Sequence, residues 1–438
     1  MKIKNIVIIA LFVFTFININ YAQEKLSLNL EQSINLGLKN SYTLHSSKMG
    51  VLAAEAKLKE VNTFRLPILD FAASYTRLSK VNPFTITTPF GVFNISPTFF
   101  DVYNFKVSLK QPLFTGFKLK STSEIAEFNS LAAKQDYTKE EKDLIFNIKN
   151  SYWNLFKAEK IKKVVNENVG QIKAHLKDVK NLFDQGLATR NDVLKVQVQL
   201  AEAKLRQIDA KNAVQLSMVN LDNILVLPLS TEINITEIPS REKQKTQDLS
   251  ELLQTAYKNR ADLKAMNYRI NASKKGINLA KSDWFPQVYL SSNYYYSNPN
   301  RRILPTRNKF YGTWDVSLSL SFNLWNWGAT GDRTTQAKMQ YEQTKDFYAS
   351  LKDVIKLQVT RSYLNVKKAL EKMKVAKKSV KEAEENYRVT EDKFENGLVI
   401  NSELLDAEVA LLQSKTNNIQ AIVDYNLALA SLNKSIGN

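Results

Sequence analysis

The residues that most often carry out chemistry in proteins are scarce in this chain. Its 438 residues include two histidines, His45 and His175, and no cysteine. The histidines lie far apart on two predicted helices, where lone histidines are usually surface residues, so neither a metal site nor a catalytic triad is predicted. The segment Gly328-Ala329-Thr330-Gly331 is similar to part of a phosphate-binding loop, but no lysine follows it, and we interpret it as a turn. The sequence therefore predicts neither an enzyme nor a cofactor.

The balance of charge also leaves little support for nucleic-acid binding. The chain has 61 Lys and Arg residues against 43 Asp and Glu residues. Most of the basic residues are lysines that occur together with glutamates along predicted helices, rather than arginine clusters interleaved with aromatic residues. This pattern favours a solvated helix surface over a nucleic-acid interface.

The N-terminus predicts export from the cytoplasm. Lys2 and Lys4 precede an apolar stretch from Ile6 to Ile19, and Asn20-Tyr21-Ala22 is the predicted cleavage site, so residues 1–22 form a predicted signal peptide. Because the chain has no cysteine, disulfides and a lipid-bearing N-terminal cysteine are excluded, which favours a bacterial envelope. No later segment is apolar for long enough to span a membrane as a helix, so β-strands are the remaining way to cross one.

The second half of the chain repeats the first. The segment Ser151-Tyr152-Trp153-Asn154-Leu155 recurs as Ser362-Tyr363-Leu364-Asn365-Val366, and Phe183-Asp184-Gln185-Gly186-Leu187 recurs at the same offset as Phe394-Glu395-Asn396-Gly397-Leu398. Such self-similarity indicates two copies of one structural unit. We therefore predict a first repeat, a linker and a second repeat, at residues 23–227, 228–247 and 248–438.

Four segments alternate between apolar and polar residues, as half-buried strands do. One face of the second segment carries Lys106 and Lys110, and the polar face of the fourth carries Asp315. Strands of about ten residues with one apolar and one wet face fit a transmembrane β-barrel with these charges in its lumen. An antiparallel sheet in a soluble domain is the alternative. The predicted strands lie at about residues 68–78, 103–112, 288–296 and 313–324.

Four strands are too few to close a barrel, because bacterial outer-membrane barrels begin at about eight strands. Several copies of the chain must therefore share one barrel if the strands cross a membrane. The first and second strands of each half are joined by segments rich in Pro and Asn, which we interpret as loops. A single shorter helix is predicted before the strands of each half, starting at Asn29 and Asp248.

The remaining segments predict long helices with coiled-coil seams. They lie at about residues 118–185, 190–226, 329–396 and 401–436, and each half ends in an antiparallel helical hairpin. The first helix carries apolar residues at heptad spacing, namely Val165, Val169, Ile172, Leu176, Val179 and Phe183. We expect this seam to pack against a matching one on the next helix, formed by Leu194, Val198, Ala201, Leu205 and Ile208.

Several of these segments, in the same order in both halves, resemble the TolC-type outer-membrane efflux proteins. The matching segments are Leu30-Glu31, Leu38-Lys39-Asn40, Gln111-Pro112-Leu113-Phe114, Tyr152-Trp153-Asn154-Leu155, Asn259-Arg260-Ala261-Asp262-Leu263 and both glycine turns. The chain departs from the family pattern at Ala261, where proline is usual, and at Asn323-Leu324-Trp325, where Pro-Leu-Phe is usual. The resemblance covers essentially the whole mature length.

The resemblance implies an α+β membrane protein with an internal two-fold repeat. Three copies, each with four strands, would form one outer-membrane β-barrel, continued by a long periplasmic α-helical coiled-coil barrel. Such a homotrimer is the exit duct of a tripartite efflux system, which passively exports substrates delivered by an inner-membrane pump and a periplasmic adaptor protein. The alternatives are a type I protein-secretion duct and, from another class, a periplasmic coiled-coil structural protein.

The resemblance also implies functional residues. The adaptor would dock at the helix tips, which correspond to Gly186, Leu187, Gly397 and Leu398. Glycine allows a tight reversal there, and the alternative is that these glycines only end helices. Acidic residues that ring the closed aperture correspond to Glu403 and Asp406. Asp192 and Lys195 lie at the matching positions of the first half, so an ion pair between helices or between copies could hold the closed state. Carboxylates that only stabilise a first helical turn are the alternative.

Overall fold

The computed structural model describes residues 26–81, 84–95, 99–239, 248–304 and 306–438. The predicted signal peptide, residues 1–22, lies outside these ranges, as does the last part of the predicted linker. Within them the chain forms two compact units. The first comprises residues 26–41, 145–239 and 367–428, and the second comprises residues 42–144, 248–366 and 429–438. No helix of the described residues is long and apolar enough to span a membrane.

The structure is mostly helical. The elements of the first half are β1 (Leu26–Leu28), α1 (Leu30–Asn40), α2 (Tyr42–Thr63), β2 (Ile68–Arg77), β3 (Phe84–Thr88), β4 (Gly91–Ile95), β5 (Asp101–Thr115), α3 (Lys118–Asp184) and α4 (Arg190–Leu225). The elements that follow are β6 (Ile233–Ile235), α5 (Leu249–Asn259), α6 (Ala261–Lys281), the 3₁₀ turn Ser282–Trp284, β7 (Gln287–Asn298), β8 (Tyr311–Ser321), α7 (Ala329–Glu395) and α8 (Asn401–Ser435).

Two helices precede the strands of each half, where the sequence predicted one. Ser41 separates α1 from α2, and Arg260 separates α5 from α6, and both residues have extended backbone angles. Each donates its backbone N–H to the carbonyl four residues earlier, on Gly37 and Ala256, at 3.0 Å. Each break thus keeps the last helical hydrogen bond although its residue has extended backbone angles. Neither Ser41 nor Arg260 is a proline or a glycine, so the sequence gives no signal for the break.

The second unit contains an antiparallel four-stranded sheet with the order β2-β5-β7-β8. β5 is longer than its predicted counterpart and includes Pro112, which has no N–H for the ladder, and the register shifts between Pro112 and Phe114. β3 and β4 form a separate hairpin within the segment that was interpreted as a loop. In the first unit, β1 and β6 pair in parallel.

The register of the four-stranded sheet separates a polar from an apolar face, because directly opposed residues lie on the same side. One row consists of Asp70, Ser108, Asn293 and Asp315, and the next row consists of Phe71, Val107, Tyr294 and Trp314. The apolar face is exposed in the single chain. Its most exposed members are Leu69, Phe71, Trp314, Leu318 and Leu320, each about two-thirds exposed or more.

The core of the first unit joins α3 to α4, and it corrects one sequence expectation. The buried cluster consists of Val169, Ile172, Val179, Val196 and Ala203. The first three belong to the predicted seam of α3, but the predicted seam of α4 was wrong, because α4 packs through residues on its opposite side. The residues predicted for that seam are exposed, with fractions of 48% for Leu194, 60% for Val198, 63% for Leu205 and 64% for Ile208.

The last turn of α4 holds a buried carboxylate without a partner. Asp222 is fully buried, and neither of its carboxylate oxygens has a hydrogen-bond partner among the described residues. Leu221 and Leu225, on either side of it in the same helix, are also fully buried. Burial raises the pKa of Asp222 to about 6, because an apolar environment disfavours the charged form.

We expect Asp222→Asn to stabilise the protein above pH 6. A folded-state pKa above the ordinary value means that the folded protein binds the proton more tightly, so this group's contribution to stability is lost as the pH rises from about 4 to above 6. Removing the charge should raise the free energy of unfolding at pH 8 by roughly 2 to 3 kcal/mol. Thermal unfolding of the detergent-purified protein at pH 4.5 and pH 8 measures this. Asp209→Asn, at an exposed position of α4, is the control, and an equal effect of Asp222→Asn at both pH values would contradict the assignment.

Candidate functional site at the helix tips and the polar strand face

The two helix tips have the same backbone geometry. Gly186 and Gly397 have left-handed φ angles of 76° and 70°. After each glycine, the leucine donates its backbone N–H to a carbonyl five residues earlier, and both of these hydrogen bonds measure 2.8 Å. This pattern is a Schellman motif, which ends a helix and satisfies its last carbonyls. Leu187 and Leu398 are left 74% and 73% exposed, so each tip presents a large apolar side chain to solvent.

Asp192 lies in the first turn of α4, where it caps the helix. Its carboxylate accepts the backbone N–H of Thr189 at 3.0 Å, and the hydroxyl of Thr189 accepts the backbone N–H of Asp192 at 3.2 Å. Hydrogen bonds from Thr189 hold the pKa of Asp192 below its ordinary value, and the positive charge of Lys195 contributes less. Lys195 is exposed on the same helix. Within the described residues of one chain, no ion pair joins Lys195 to Glu403 or Asp406, and a pair between copies stays a prediction.

The first two turns of α8 carry the other two candidate carboxylates. Glu403 and Asp406 are exposed and three residues apart, so they lie on one face of the helix. Asn401, which the sequence interpretation missed, is buried beside them and donates its Nδ2–H to the backbone carbonyl of Asp192 at 3.3 Å. The starts of α4 and α8 are therefore in direct contact. An asparagine at the first residue of a predicted helix was the available signal.

One of the two histidines is not a surface residue. His45 is exposed, as predicted, but His175 is buried in α3, and its Nδ1 lies 3.4 Å from Oε1 of Glu408 in α8. The prediction for His175 was wrong because the heptad seam of α3 includes Ile172 and Val179, which lie three residues before and four residues after it. A polar residue at that spacing faces the same side of the helix.

The three charged residues predicted on the polar strand face all lie on that face. Nζ of Lys106 lies 5.4 Å from the ring centre of Tyr295, and Nζ of Lys110 lies 4.7 Å from that of Tyr289. Such contacts between a cation and an aromatic ring are attractive. Asp315 accepts a hydrogen bond from Asn293 at 2.7 Å.

The sequence interpretation missed three residues that contact the charged residues of the polar face, namely Arg302, Tyr289 and Tyr295. Nη2 of Arg302 lies 3.1 Å from Oδ2 of Asp315, so this carboxylate is paired rather than free. The guanidinium group of Arg302 also lies 5.5 Å from the ring centre of Tyr295. Arg302 lies between β7 and β8, in a segment where the sequence shows no alternation.

The sequence matches the family model for outer membrane efflux proteins at residues 33–225 and 252–438, which together make up most of the chain. The chain belongs to this family. The predicted resemblance, the location in the outer membrane and the function as an efflux duct are confirmed. The relatives are channel proteins rather than enzymes.

Individual relatives agree with this family. The outer membrane protein TolC of Vibrio cholerae serotype O1 is 24% identical over 316 residues, which cover 71% of this chain and 72% of TolC. The alkaline protease secretion protein AprF of Pseudomonas aeruginosa is 23% identical over 366 residues, which cover 82% of this chain and 74% of AprF. The crystal structure of the outer membrane protein VceC from Vibrio cholerae shares the fold, with a TM-score of 0.79 at 16% identity, and the match covers 93% of this chain and 96% of VceC.

Proposed function

We propose that three copies of this efflux protein close one β-barrel in the outer membrane and continue it as a helical tunnel into the periplasm. The four-stranded sheet carries this proposal. Within the described residues β2 pairs only with β5, and β8 pairs only with β7, so the sheet has two long open edges. Open edges pair readily with other strands. In a ring of three copies, β8 of one copy pairs with β2 of the next, and no edge is left.

The exposed apolar face of the sheet supports its location in lipid. Phe71, Trp314, Leu318 and Leu320 would form a large apolar patch on a soluble protein, which soluble proteins avoid. Hydrocarbon chains are a suitable environment for this face, and the opposite face, with Lys106, Lys110 and Asp315, would line a water-filled lumen. Exposed aromatic residues flank the strands where they meet the helices, as interfacial residues do, namely Phe117, Trp284, Phe285, Trp325 and Trp327.

Exposed apolar residues on the helices support packing between copies. On α4 they are Leu194, Val198, Leu205 and Ile208, which repeat at the heptad spacing of a coiled coil. On α7 they are Phe347, Val354, Leu357 and Leu364, again at intervals of three and seven residues. Helices of a neighbouring copy would remove both stripes from water.

We expect Leu205→Glu to prevent the chain from forming trimers. A carboxylate in the proposed interface would lose its hydration without gaining a partner, which costs several kcal/mol for each copy. Lys204→Glu is the control, because it introduces the same carboxylate next to the stripe at an exposed position and changes the net charge even more than Leu205→Glu does. Multi-angle light scattering in detergent measures the number of chains. A wild-type monomer would contradict the shared barrel, and a trimeric Leu205→Glu variant would contradict the α4 interface.

The helix tips are the proposed docking site for a periplasmic adaptor protein. Leu187 and Leu398 are the most exposed apolar side chains of the two turns, and the same Schellman geometry presents both of them. A partner with small apolar grooves would therefore find two similar anchors on each copy.

We expect replacement of Leu187 and Leu398 by Ser to weaken adaptor binding by about tenfold or more, because a central apolar anchor often contributes over 1 kcal/mol. Since both side chains are exposed, the helices should be unaffected. Binding of the purified cognate adaptor to the immobilised trimer measures the affinity. Leu229→Ser, at a 58% exposed leucine of the linker, is the control. Equal affinity of the tip variant and this control would exclude the tips as docking site.

Glu403 and Asp406 are the proposed aperture residues. In three copies they would place six carboxylates near one axis, where they attract cations and repel one another. Asp192 and Asn401 would position them, since Asn401 joins the first turns of α4 and α8. Repulsion between these carboxylates would favour separation of the helix turns. A partner that binds the separated form would therefore open the duct.

We expect the double variant Glu403→Gln, Asp406→Asn to lose cation selectivity in planar bilayers. Block by a trivalent cation should weaken by about tenfold, as expected when charge-assisted contacts worth more than 1.4 kcal/mol are removed. The control is Glu382→Gln, Glu385→Gln on α7, which removes two carboxylates at the same spacing. Unchanged single-channel selectivity in the aperture variant would rule out this assignment, and so would an equal loss of selectivity in the control.

Export of a polypeptide is a second candidate function. The observation that favours it is the similarity to AprF, a protein named for the secretion of an alkaline protease. A deletion strain separates the two functions. Increased sensitivity to small toxic molecules with an unchanged secreted proteome indicates efflux of small molecules, whereas loss of one secreted protein indicates secretion.

A further inference from the structure

Three lysines at the polar face of the four-stranded sheet have aromatic rather than acidic partners. Each Nζ lies near the ring centre of a tyrosine, and the pairs are Lys110 with Tyr289 at 4.7 Å, Lys106 with Tyr295 at 5.4 Å and Lys309 with Tyr311 at 5.9 Å. Tyr311 belongs to this face because it lies four residues before Asp315 in β8, and side chains alternate along a strand. Among the described residues, no ion pair joins these lysines to a carboxylate.

A tyrosine ring attracts a lysine without neutralising it. The ring acts on the ammonium group through its quadrupole, whereas a carboxylate would cancel the charge. Lys110 and Lys309 are exposed, and Lys106 is partly exposed. An ammonium group has three N–H donors and no acceptor, so it favours solutes that are negative or accept hydrogen bonds. The polar face therefore offers positive charge to a solute that passes along it.

The three pairs are spread along the strands and do not form one cluster. The residues of β7 opposite Lys110, Lys106 and Tyr311 are Ser291, Tyr295 and Ser297, respectively. At about 3.3 Å per residue, these levels span about 20 Å. The levels follow one another away from the helices, because β5 ends and β7 begins at the end of the sheet where the helices attach.

The carboxylates of this face do not balance the lysines. Asp315 is paired with Arg302 at 3.1 Å. Asp70 is exposed, and it forms no ion pair with another described residue. Within the described part of each chain, three unpaired lysines therefore stand against one unpaired carboxylate at the polar face, which is an excess of two positive charges.

A cavity at the end of this face that is farther from the helices adds to the positive charge. Its volume is about 370 Å³, and its lining includes Arg301, Arg302, Thr76, Asn104 and Thr313 but no carboxylate of a described residue. Asn300, which is buried, fixes the loop that carries both arginines. Its Nδ2–H donates to the backbone carbonyl of Tyr311 at 3.1 Å, and its Oδ1 accepts the backbone N–H of Arg302 at 3.0 Å. A recess with these donors suits a carboxylate or phosphate group.

We propose that the polar strand face is a path for anions, so that the barrel favours molecules with carboxylate or phosphate groups. This inference rests on the proposed trimeric barrel, in which three copies would turn this face towards one lumen and give it an excess of six positive charges. A charged wall of low dielectric constant raises the local concentration of counter-ions. Because the lysines lie at several levels, an anion could move from one weak site to the next and still leave the barrel.

Reversal potentials in planar bilayers across a shallow gradient of potassium chloride near ~10 mM test the proposal, because charges then act over about 30 Å. The variant Glu403→Gln, Asp406→Asn is the background, since it lacks the carboxylates that would attract cations at the aperture. We expect this channel to prefer chloride over potassium. Adding Lys106→Gln and Lys110→Gln should lower the chloride-to-potassium permeability ratio by about tenfold, at the low end of the effect of such a field on ion concentration.

Two controls accompany this measurement. Lys106→Arg with Lys110→Arg keeps both charges and should keep the preference for chloride. Lys48→Gln with Lys59→Gln removes two positive charges from exposed positions of α2, outside the sheet, and should leave the ratio unchanged. Lys309→Gln in the exposed loop should lower the ratio by about threefold, since it removes one of the three levels, and it serves if the double lysine variant does not insert.

A conducting channel without a preference for chloride would overturn the anion path and leave the duct intact. An equal ratio in the background and in its Lys106→Gln, Lys110→Gln derivative would do the same, as would an equal fall in the α2 control. A wild-type protein that gives no conductance would contradict the duct itself, and the anion path would fall with it.

Discussion

Backbone hydrogen bonding at the two outer strands of the four-stranded sheet is the constraint on which the other features depend. β2 and β8 each have one partner strand in the described chain, and at their proposed location in the membrane no water would satisfy the unpaired backbone groups. The side-chain pattern follows from the same constraint. Because the strands alternate strictly, one face can meet lipid while the other carries Lys106, Lys110 and Asp315. In the proposed assembly, the edges of this sheet pair with the edges of other copies.

The helices also combine apolar surface that is buried within the chain with apolar surface that stays exposed. α4 has two apolar stripes on opposite sides, and both repeat every seven residues. The stripe with Val196, Ala203 and Ala210 is buried in the chain, and its small side chains allow α3 to approach closely. The stripe with Leu205 and Ile208 carries larger side chains and is exposed. One side of α4 thus forms a tight contact within the chain, and the proposed assembly would cover the exposed stripe on the other side.

The sequence predicted those elements in which the periodicity of apolar residues identifies a single apolar side. The alternation in β8 and the seam of α3 belong to this class, because each has one apolar side. The contact face of α4 could not be predicted, since two stripes of the same period compete and only tertiary packing distinguishes them. The β3–β4 hairpin was missed because its flanking prolines favoured a loop.

Among the candidate site residues, the sequence predicted those that belong to a recognisable motif. It did not predict those whose contacts arise only from the packing of distant segments. Both glycine turns follow from their sequence, because a left-handed residue after a helix needs glycine. Asn401 and Glu408 have no such mark. Their roles arise from the packing of α8 against α3 and α4, which depends on contacts between residues more than two hundred positions apart. His175 was misjudged for the same reason.

The open edges of β2 and β8 have a genetic consequence. If a ring closes only with three competent copies, an edge that cannot pair in one copy disables the other two as well. Equal expression of wild-type and edge-defective chains that mix freely would then leave about one eighth of the assemblies intact. Alleles that disrupt these strands should therefore be dominant, whereas alleles that destroy the chain before assembly should be recessive.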